Sequence, residues 1–267
     1  MIDSVTTALA SLNFAPFTWV SAFLDAYVWW VFLIIAAWMY LAYPKVRKNK
    51  LRVVAFTLAL AVGALLVLFV KADYALPRPC ADSVELLKLP FCPADYSFPS
   101  GHTAYAFVFA GASLGTSFFP LFFLLAIATA LSRVYLGVHT ITDVAGGIAI
   151  GLSCYYVAES LLKTLVPKLA PESEMKKLEG KKRKVTFFEL RRDVAHIVFG
   201  TSLLALAWLL GKGYAELLII LGLFFGMTMM HLRMKQKPVL LVDKLFDLLE
   251  RPMVMPAKGA YTYVLGV

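Results

Sequence analysis

Residues 51–70 read LRVVAFTLALAVGALLVLFV, and after Arg52 this stretch contains no charged residue. A helix needs about 20 mostly apolar residues to cross the hydrocarbon core of a bilayer, so the stretch has the length and composition of a membrane span. The whole chain of 267 residues is 60% hydrophobic and has a mean hydropathy of +0.75. Soluble domains are only roughly 45–50% apolar. We therefore expect an integral membrane protein.

Apolar stretches on both sides of this run predict an all-α, polytopic transmembrane bundle of about seven spans plus interfacial helices. The predicted spans are Tyr27–Tyr43, Leu51–Val70, Thr103–Phe119, Leu121–Leu136, Ile141–Val166, Val194–Leu210 and Tyr214–Met230. Pro120 separates the third from the fourth, which predicts a tight helical hairpin. Residues 5–24 are also apolar, but Asn13 and Pro16 interrupt them. Because only two residues separate them from the first span, we expect them to lie on the membrane surface.

The basic residues are distributed unevenly. Of the 26 Lys and Arg residues, 21 fall in three clusters, with 5 in residues 45–52, 10 in residues 163–192 and 6 in residues 233–258. Alternating crossings place all three clusters on one side, which the positive-inside rule identifies as cytoplasmic. We therefore interpret the net charge of +9 as a topology signal. It predicts a multi-pass protein of the cell membrane with no nucleic-acid partner.

The same pattern divides the chain into three units. Residues 1–166 hold five spans, residues 167–192 form a basic cytoplasmic linker, and residues 193–267 form a two-span membrane unit. Within the last unit, residues 239–250 place acidic side chains on one helical face and Leu and Phe on the other, which predicts an amphipathic helix on the cytoplasmic surface. The apolar run at residues 260–267 is too short for a span, so we expect a fragment or a shortened form.

Polar residues collect at the ends of four predicted spans, on the side away from the basic clusters. In chain order they are Lys71, Arg78, Ser100, Gly101, His102, Arg133, His139 and Asp143. Three cations can neutralise a phosphoryl group, and an arginine fork binds two of its oxygens at once. The free N–H groups at a helix start also favour an anion. This combination predicts a phosphate-ester site on the extracytoplasmic face.

Two histidines suit the chemistry of such a site. His139 and Asp143 are four residues apart and therefore share one face of a helix. A carboxylate that holds one imidazole nitrogen fixes the tautomer and leaves the other nitrogen free to attack phosphorus. His102 is then placed to protonate the leaving oxygen. Taken singly, each residue has an ordinary alternative, such as a lysine that snorkels to the interface; the combination favours a site.

Three motifs resemble the type 2 phosphatidic acid phosphatase family, which includes polyprenyl diphosphate phosphatases and vanadium haloperoxidases. The first motif, Lys, six residues, Arg-Pro, reads KADYALPRP at 71–79. The second reads PSGH at 99–102. The third, Ser-Arg, five residues, His, three residues, Asp, reads SRVYLGVHTITD at 132–143. The resemblance covers about residues 27–166 and makes residues 1–166 the expected phosphatase domain.

The resemblance implies a lipid phosphatase that uses neither a metal nor another cofactor. His139 becomes phosphohistidine, Asp143 orients it and His102 acts as the acid. The phosphate is held by Lys71, Arg78, Ser100, Gly101 and Arg133. The substrate is a lipid phosphate monoester or diphosphate; phosphatidate, phosphatidylglycerophosphate and polyprenyl diphosphate stay open, as does the oligomeric state. The alternatives are a vanadate-dependent haloperoxidase and a non-enzymatic lipid-binding membrane protein.

Two further features lie outside these motifs. Cys80 and Cys92 fall in one extracytoplasmic loop, where disulfides persist, so we predict a bridge. Residues 189–267 resemble the N-terminal part of polyprenol and dolichol kinase-like, CTP-dependent lipid kinases, through Arg191-Arg192 followed by His196 and Gly200. Asp193 stands where that family has a basic residue. The resemblance implies a partial kinase unit that is silent in this chain.

Overall fold

The computed structural model describes residues 3–44, 49–165 and 211–235, together with the single residues 202 and 209. Within these residues every regular element is helical. The elements are α1 (Ser4–Ser11), α2 (Ala15–Ala42), α3 (Lys50–Tyr74), α4 (Pro79–Asp82), a 3₁₀ turn (Val84–Leu86), α5 (Gly101–Ser113), α6 (Phe119–Tyr135), α7 (Ile141–Leu165) and α8 (Lys212–Met234). The helices α2, α3, α7 and α8 each contain a stretch that is long and apolar enough to span a membrane. The predicted all-α membrane bundle is confirmed.

The N-terminal region differs from the prediction. Residues 15–42 form one continuous helix of 28 residues, so the chain does not break at Asp25. Pro16 lies in the first turn, where its missing N–H removes no helical hydrogen bond. Asp25 is tolerated inside an apolar helix because Arg133 of α6 pairs with it. The prediction of a surface segment over residues 5–24 is therefore wrong for residues 15–24.

The α5–α6 hairpin is present, but its first helix is shorter than predicted. Helix α5 ends at Ser113 and not at Phe119. Residues 114–118 continue in a non-helical connection as far as the end of α2, where the rings of Phe118 and Tyr43 lie 4.6 Å apart. Gly115 has φ +76° in this connection, and its N–H donates to Nδ1 of His231 of α8 at 3.3 Å. Two helices that are distant in sequence therefore complete the turn.

Helix α5 lies at the centre of the bundle, against α3, α6 and α7. Its close approach to α7 depends on glycine. A Cβ at Gly147 would lie 2.6 Å from the carbonyl oxygen of Ser100, and a Cβ at Gly151 would overlap the carbonyl of Ala104. Small residues four apart let two helix backbones approach in this way. The contact joins the N-terminal ends of α5 and α7, where the N–H of Ser100 donates to the carbonyl of Asp143 at 2.9 Å.

The loop of residues 75–100, which we call the site loop, covers this end of the bundle. A disulfide joins Cys80 to Cys92, with their Cα atoms 5.8 Å apart. Cys80 packs against Leu136 and Val138, which follow α6. The site loop is therefore fixed to the connection that carries His139. The predicted linker, the span at 194–210 apart from the single residues 202 and 209, most of the kinase-like unit and the amphipathic helix at 239–250 lie outside the described residues.

Candidate active site

His139 lies in the tight connection between α6 and α7. Its backbone N–H donates to the carbonyl of Arg133 at 3.2 Å, and the side chain is almost fully buried. Gly137 allows the turn because it has φ +74° and because a Cβ there would overlap the carbonyl of Leu86. The ring lies between two charged groups. Nδ1 is 3.4 Å from Oδ2 of Asp143, and Nε2 is 3.1 Å from Nη1 of Arg78.

Asp143 is held firmly in the first turn of α7. Its Oδ2 accepts hydrogen bonds from the backbone N–H of Thr140 at 2.7 Å and from the hydroxyl of Ser97. These donors fix the carboxylate beside Nδ1 of His139. The arrangement favours the tautomer with a proton on Nδ1, so that the lone pair of Nε2 points towards Arg78. Sequence reasoning missed Ser97, because one serine in a loop carries no periodic signal.

Lys71 and Arg78 converge on a residue that the sequence did not single out. Lys71 Nζ lies 2.7 Å from Oδ2 of Asp95, and Arg78 Nη2 lies 2.6 Å from Oδ1 of the same carboxylate. Partial burial opposes the negative charge of Asp95. The hydrogen bonds and charges of the two cations outweigh it and hold the pKa of this carboxyl at about 2. The two cations and Asp95 therefore form a charged triad at neutral pH.

Backbone carbonyls also hold the two cations. Lys71 donates to the carbonyl of Tyr96. Arg78 donates from Nε to the carbonyl of Asp95 and from Nη1 to the carbonyl of Val138, both at 3.0 Å. The guanidinium thus links the site loop to the connection that carries His139.

Arg133, near the end of α6, is held differently. Its side chain is 2% exposed, and its Nη1 pairs with Asp25 of α2. Within the described residues its Nε has no hydrogen-bond partner. A buried donor without a partner is costly, and an anion bound beside it would remove that cost. Asp25 was also missed, because in the sequence it reads as a break between two apolar segments.

The second motif forms the start of α5. Ser100 is fully buried, and its Oγ accepts from the hydroxyl of Thr103 at 2.9 Å. A Cβ at Gly101 would make only ordinary contacts with Val67, so protein packing does not require glycine there. The ring of His102 packs against Trp29 of α2, with centroids 5.5 Å apart. The phosphate-binding role of Ser100 and Gly101 and the acid role of His102 remain predictions.

The electrostatics of the site favour a neutral nucleophile. Burial lowers the pKa of His139, and the charges of Arg78 and Arg133 lower it further, although the hydrogen bond that Nδ1–H donates to Asp143 opposes the shift. The ring is therefore neutral at pH 7, and the lone pair of Nε2 faces Arg78. Within the described residues, no group of three or more His, Cys, Asp or Glu side chains is arranged to hold a metal ion.

Comparison with known proteins identifies the domain. The model of the PAP2 superfamily matches residues 52–167. This part of the chain is a PAP2 superfamily domain. It contains all three motifs, and the family predicted from them is confirmed.

Two proteins show how far the similarity extends. The chain is 30% identical over 114 residues to phosphatidylglycerophosphatase B of Bacillus subtilis (strain 168), a match that covers 36% of this chain and 56% of that protein. The chain thus spans just over half the length of this curated relative. A crystal structure of Aquifex aeolicus LpxE superimposes with a TM-score of 0.43 at 24% identity, over 58% of this chain and 93% of that one.

The PAP2 domain brings its predicted residues together in two linked sets. Asp143, His139 and Arg78 form one continuous row of contacts, and Arg78 shares Asp95 with Lys71. Arg133 joins them through its charge, which acts on the ring of His139. The charges of Arg133 and Arg78 also act on the ring of His102. His102 and Gly101 lie at the same end of the bundle because they form the first turn of α5.

Proposed function

We propose that this chain is a membrane phosphatase that hydrolyses a lipid phosphate through a phosphohistidine on His139. The supporting observation is the buried, neutral His139 ring, held by Asp143 at Nδ1 and facing Arg78 with Nε2. A lone pair beside a cationic phosphate-binding group is the arrangement that phosphoryl transfer to nitrogen requires.

In the first proposed step, Nε2 of His139 attacks phosphorus. The phosphorus–oxygen bond to the lipid breaks, and His102 donates a proton to the leaving oxygen. Arg78, Lys71 and Arg133 stabilise the charge that builds up on the equatorial oxygens. Asp143 accepts a hydrogen bond from Nδ1–H and so stabilises the ring as it becomes positively charged.

In the second proposed step, a water molecule attacks the phosphorus atom of the phosphohistidine. His102, now unprotonated, takes a proton from that water, and the phosphorus–nitrogen bond breaks. Inorganic phosphate is released and both histidines return to their starting states. The step needs no other reactant.

The proposed substrate is a lipid phosphate monoester or diphosphate at the extracytoplasmic face of the cell membrane. The basic clusters at 45–52, 163–192 and 233–258 support this orientation. We propose residues 1–166 as the phosphatase domain, residues 167–192 as a cytoplasmic linker, and residues 193–267 as a separate membrane unit without kinase activity. An assay with polyprenol and labelled CTP tests the last point, and labelled product would contradict it.

The activity is tested with the full chain in detergent, by phosphate release from phosphatidate, phosphatidylglycerophosphate and polyprenyl diphosphate. We expect release from at least one of them, insensitive to EDTA and abolished in His139→Ala. The matched control is His231→Asn, which removes another buried imidazole, at the opposite end of the bundle. Unchanged turnover in His139→Ala would overturn the proposal, and so would strict metal dependence.

The orientation is tested separately in intact cells. Val84 is exposed in the site loop, and Lys48 lies in the first basic cluster. We expect an impermeant thiol reagent to label Val84→Cys and not Lys48→Cys. The reverse pattern would place the site on the cytoplasmic face.

A further inference from the structure

The carboxylate of Asp95 forms ion pairs with both cations, as a phosphate group would. Each of its carboxylate oxygens takes one cation, Oδ2 with Lys71 at 2.7 Å and Oδ1 with Arg78 at 2.6 Å. Two oxygens of a phosphoryl group bound by the same side chains would have to accept hydrogen bonds from the same N–H groups. A bound phosphate and the Asp95 carboxylate therefore compete for the same donors.

The cations do not depend on this carboxylate for their positions. Lys71 keeps its contact with the carbonyl of Tyr96, and Arg78 keeps two backbone carbonyls and Nε2 of His139. Removing the charge of Asp95 while keeping its backbone would leave these contacts in place. Its carboxylate thus contributes mainly charge, and the backbone contributes the geometry.

Exposure shows which partner can move. The side chain of Asp95 is 56% exposed, whereas those of Lys71 and Arg78 are 11% and 6% exposed. Asp95 can turn towards water without burying its charge, but the two cations cannot leave the bundle without losing their carbonyl partners. Exchange at this site therefore proceeds by movement of Asp95.

We propose that Asp95 is an internal competitor of phosphate that weakens its binding to Lys71 and Arg78 and so promotes release of the product. The idea rests on the proposed phosphatase function. A lipid substrate also has its apolar tail in the membrane, but free phosphate is held by polar contacts alone. Competition for the cations weakens both by a similar factor, but the substrate keeps the binding energy of its tail, so the product is the one that is released. When phosphate leaves, Asp95 takes its place on both cations.

The test measures phosphate binding directly, by equilibrium dialysis of the detergent-solubilised full chain against radiolabelled inorganic phosphate. We expect Asp95→Asn to lower the Kd for phosphate about tenfold, because an amide removes the competing charge. Asp95→Glu keeps the charge and should bind phosphate like the unmodified chain. The control is Asp82→Asn, the same charge change at an exposed position in the site loop with no ion pair among the described residues. We expect its Kd to change less than twofold.

Equal or weaker phosphate binding by Asp95→Asn than by Asp82→Asn would overturn the proposal, provided that both variants elute as the same species in gel filtration. The turnover assay separates this result from the fate of the proposed function. Lipid hydrolysis with an unchanged phosphate Kd would refute only the competitor role. Tighter phosphate binding without hydrolysis of any lipid would support the competitor role and refute the phosphatase. A second readout is product inhibition, where inorganic phosphate should inhibit Asp95→Asn at about tenfold lower concentration.

Discussion

The two arginines of the site are held by different parts of the molecule, one by the site loop and one by the helices. Arg78 is fixed by carbonyl oxygens on both sides, and its acidic partner Asp95 is half exposed. Arg133 lies inside the bundle, and its Nη1 pairs with Asp25 on a neighbouring helix. Loss of the acid should therefore have opposite consequences. On the loop side it frees a binding group, and on the helix side it leaves a charge unpaired in an apolar environment.

The largest expected effect is on the helix side. Asp25→Asn leaves the buried charge of Arg133 without its counter-ion, which should lower the free energy of unfolding by about 3 kcal/mol. Thermal unfolding in detergent measures it, with Asp73→Asn, an exposed acid at the end of α3, as the control. The double variant Asp25→Asn, Arg133→Gln should recover part of the loss. Equal stability of the single variant and the control would contradict the pairing.

The next effect sharpens the difference between the arginines. Arg78→Lys keeps the charge, but one ammonium group cannot reach Asp95, Val138 and His139 at the same time. We expect kcat/KM to fall about 10²-fold, as when a preorganised donor is removed from a charge-stabilising site. In Arg133→Lys the new ammonium group can keep the pairing with Asp25, so kcat/KM should fall less than in Arg78→Lys. Steady-state kinetics of both variants on the same lipid measure the two losses. A larger loss of kcat/KM in Arg133→Lys than in Arg78→Lys would contradict this prediction.

A smaller effect concerns the cross-link of the site loop. Replacing both Cys80 and Cys92 by Ser should lower the free energy of unfolding by about 2 kcal/mol, because a closed loop of this length restricts the unfolded chain. Cys154→Ala removes the free buried thiol and serves as the control. Peptide mapping without reductant should find the two cysteines linked. Free thiols at both positions in protein from an oxidising compartment would contradict the bridge.

The smallest effect is one of pH. The pKa of Asp95 is lowered to about 2 in the folded chain, and it is about 3.9 in an unfolded one. Its contribution to stability is thus present above about pH 4 and is lost as the pH falls towards 2. Between pH 7 and pH 5, the ratio of phosphate Kd values for the unmodified chain and Asp95→Asn, both measured at the same pH, should stay constant. A ratio that approaches one by pH 5 would show that Asp95 is already protonated there.

The sequence predicted the ionisable residues of the three motifs because their spacing and the alternation of spans place them at one end of the bundle. It could not predict Asp25, Asp95 or Ser97. Each of these is a single polar residue whose partner is distant along the chain, and only the packing of α2 and the course of the site loop bring the partners together. The predicted helix boundaries were wrong for a related reason. Apolar composition does not distinguish helical residues from the non-helical residues 114–118, whose groups find partners inside the protein.

That connection has a consequence for how the protein is made. The N–H of Gly115 has its partner on His231, which the ribosome adds more than a hundred residues later. The aromatic ring of Phe119 also stacks on His231, with centroids 4.5 Å apart. A nascent chain that has inserted α5 and α6 therefore holds an unfinished turn until α8 enters the membrane. Assembly of this end of the bundle must wait for the last described helix, although the residues proposed for catalysis are all synthesised before it.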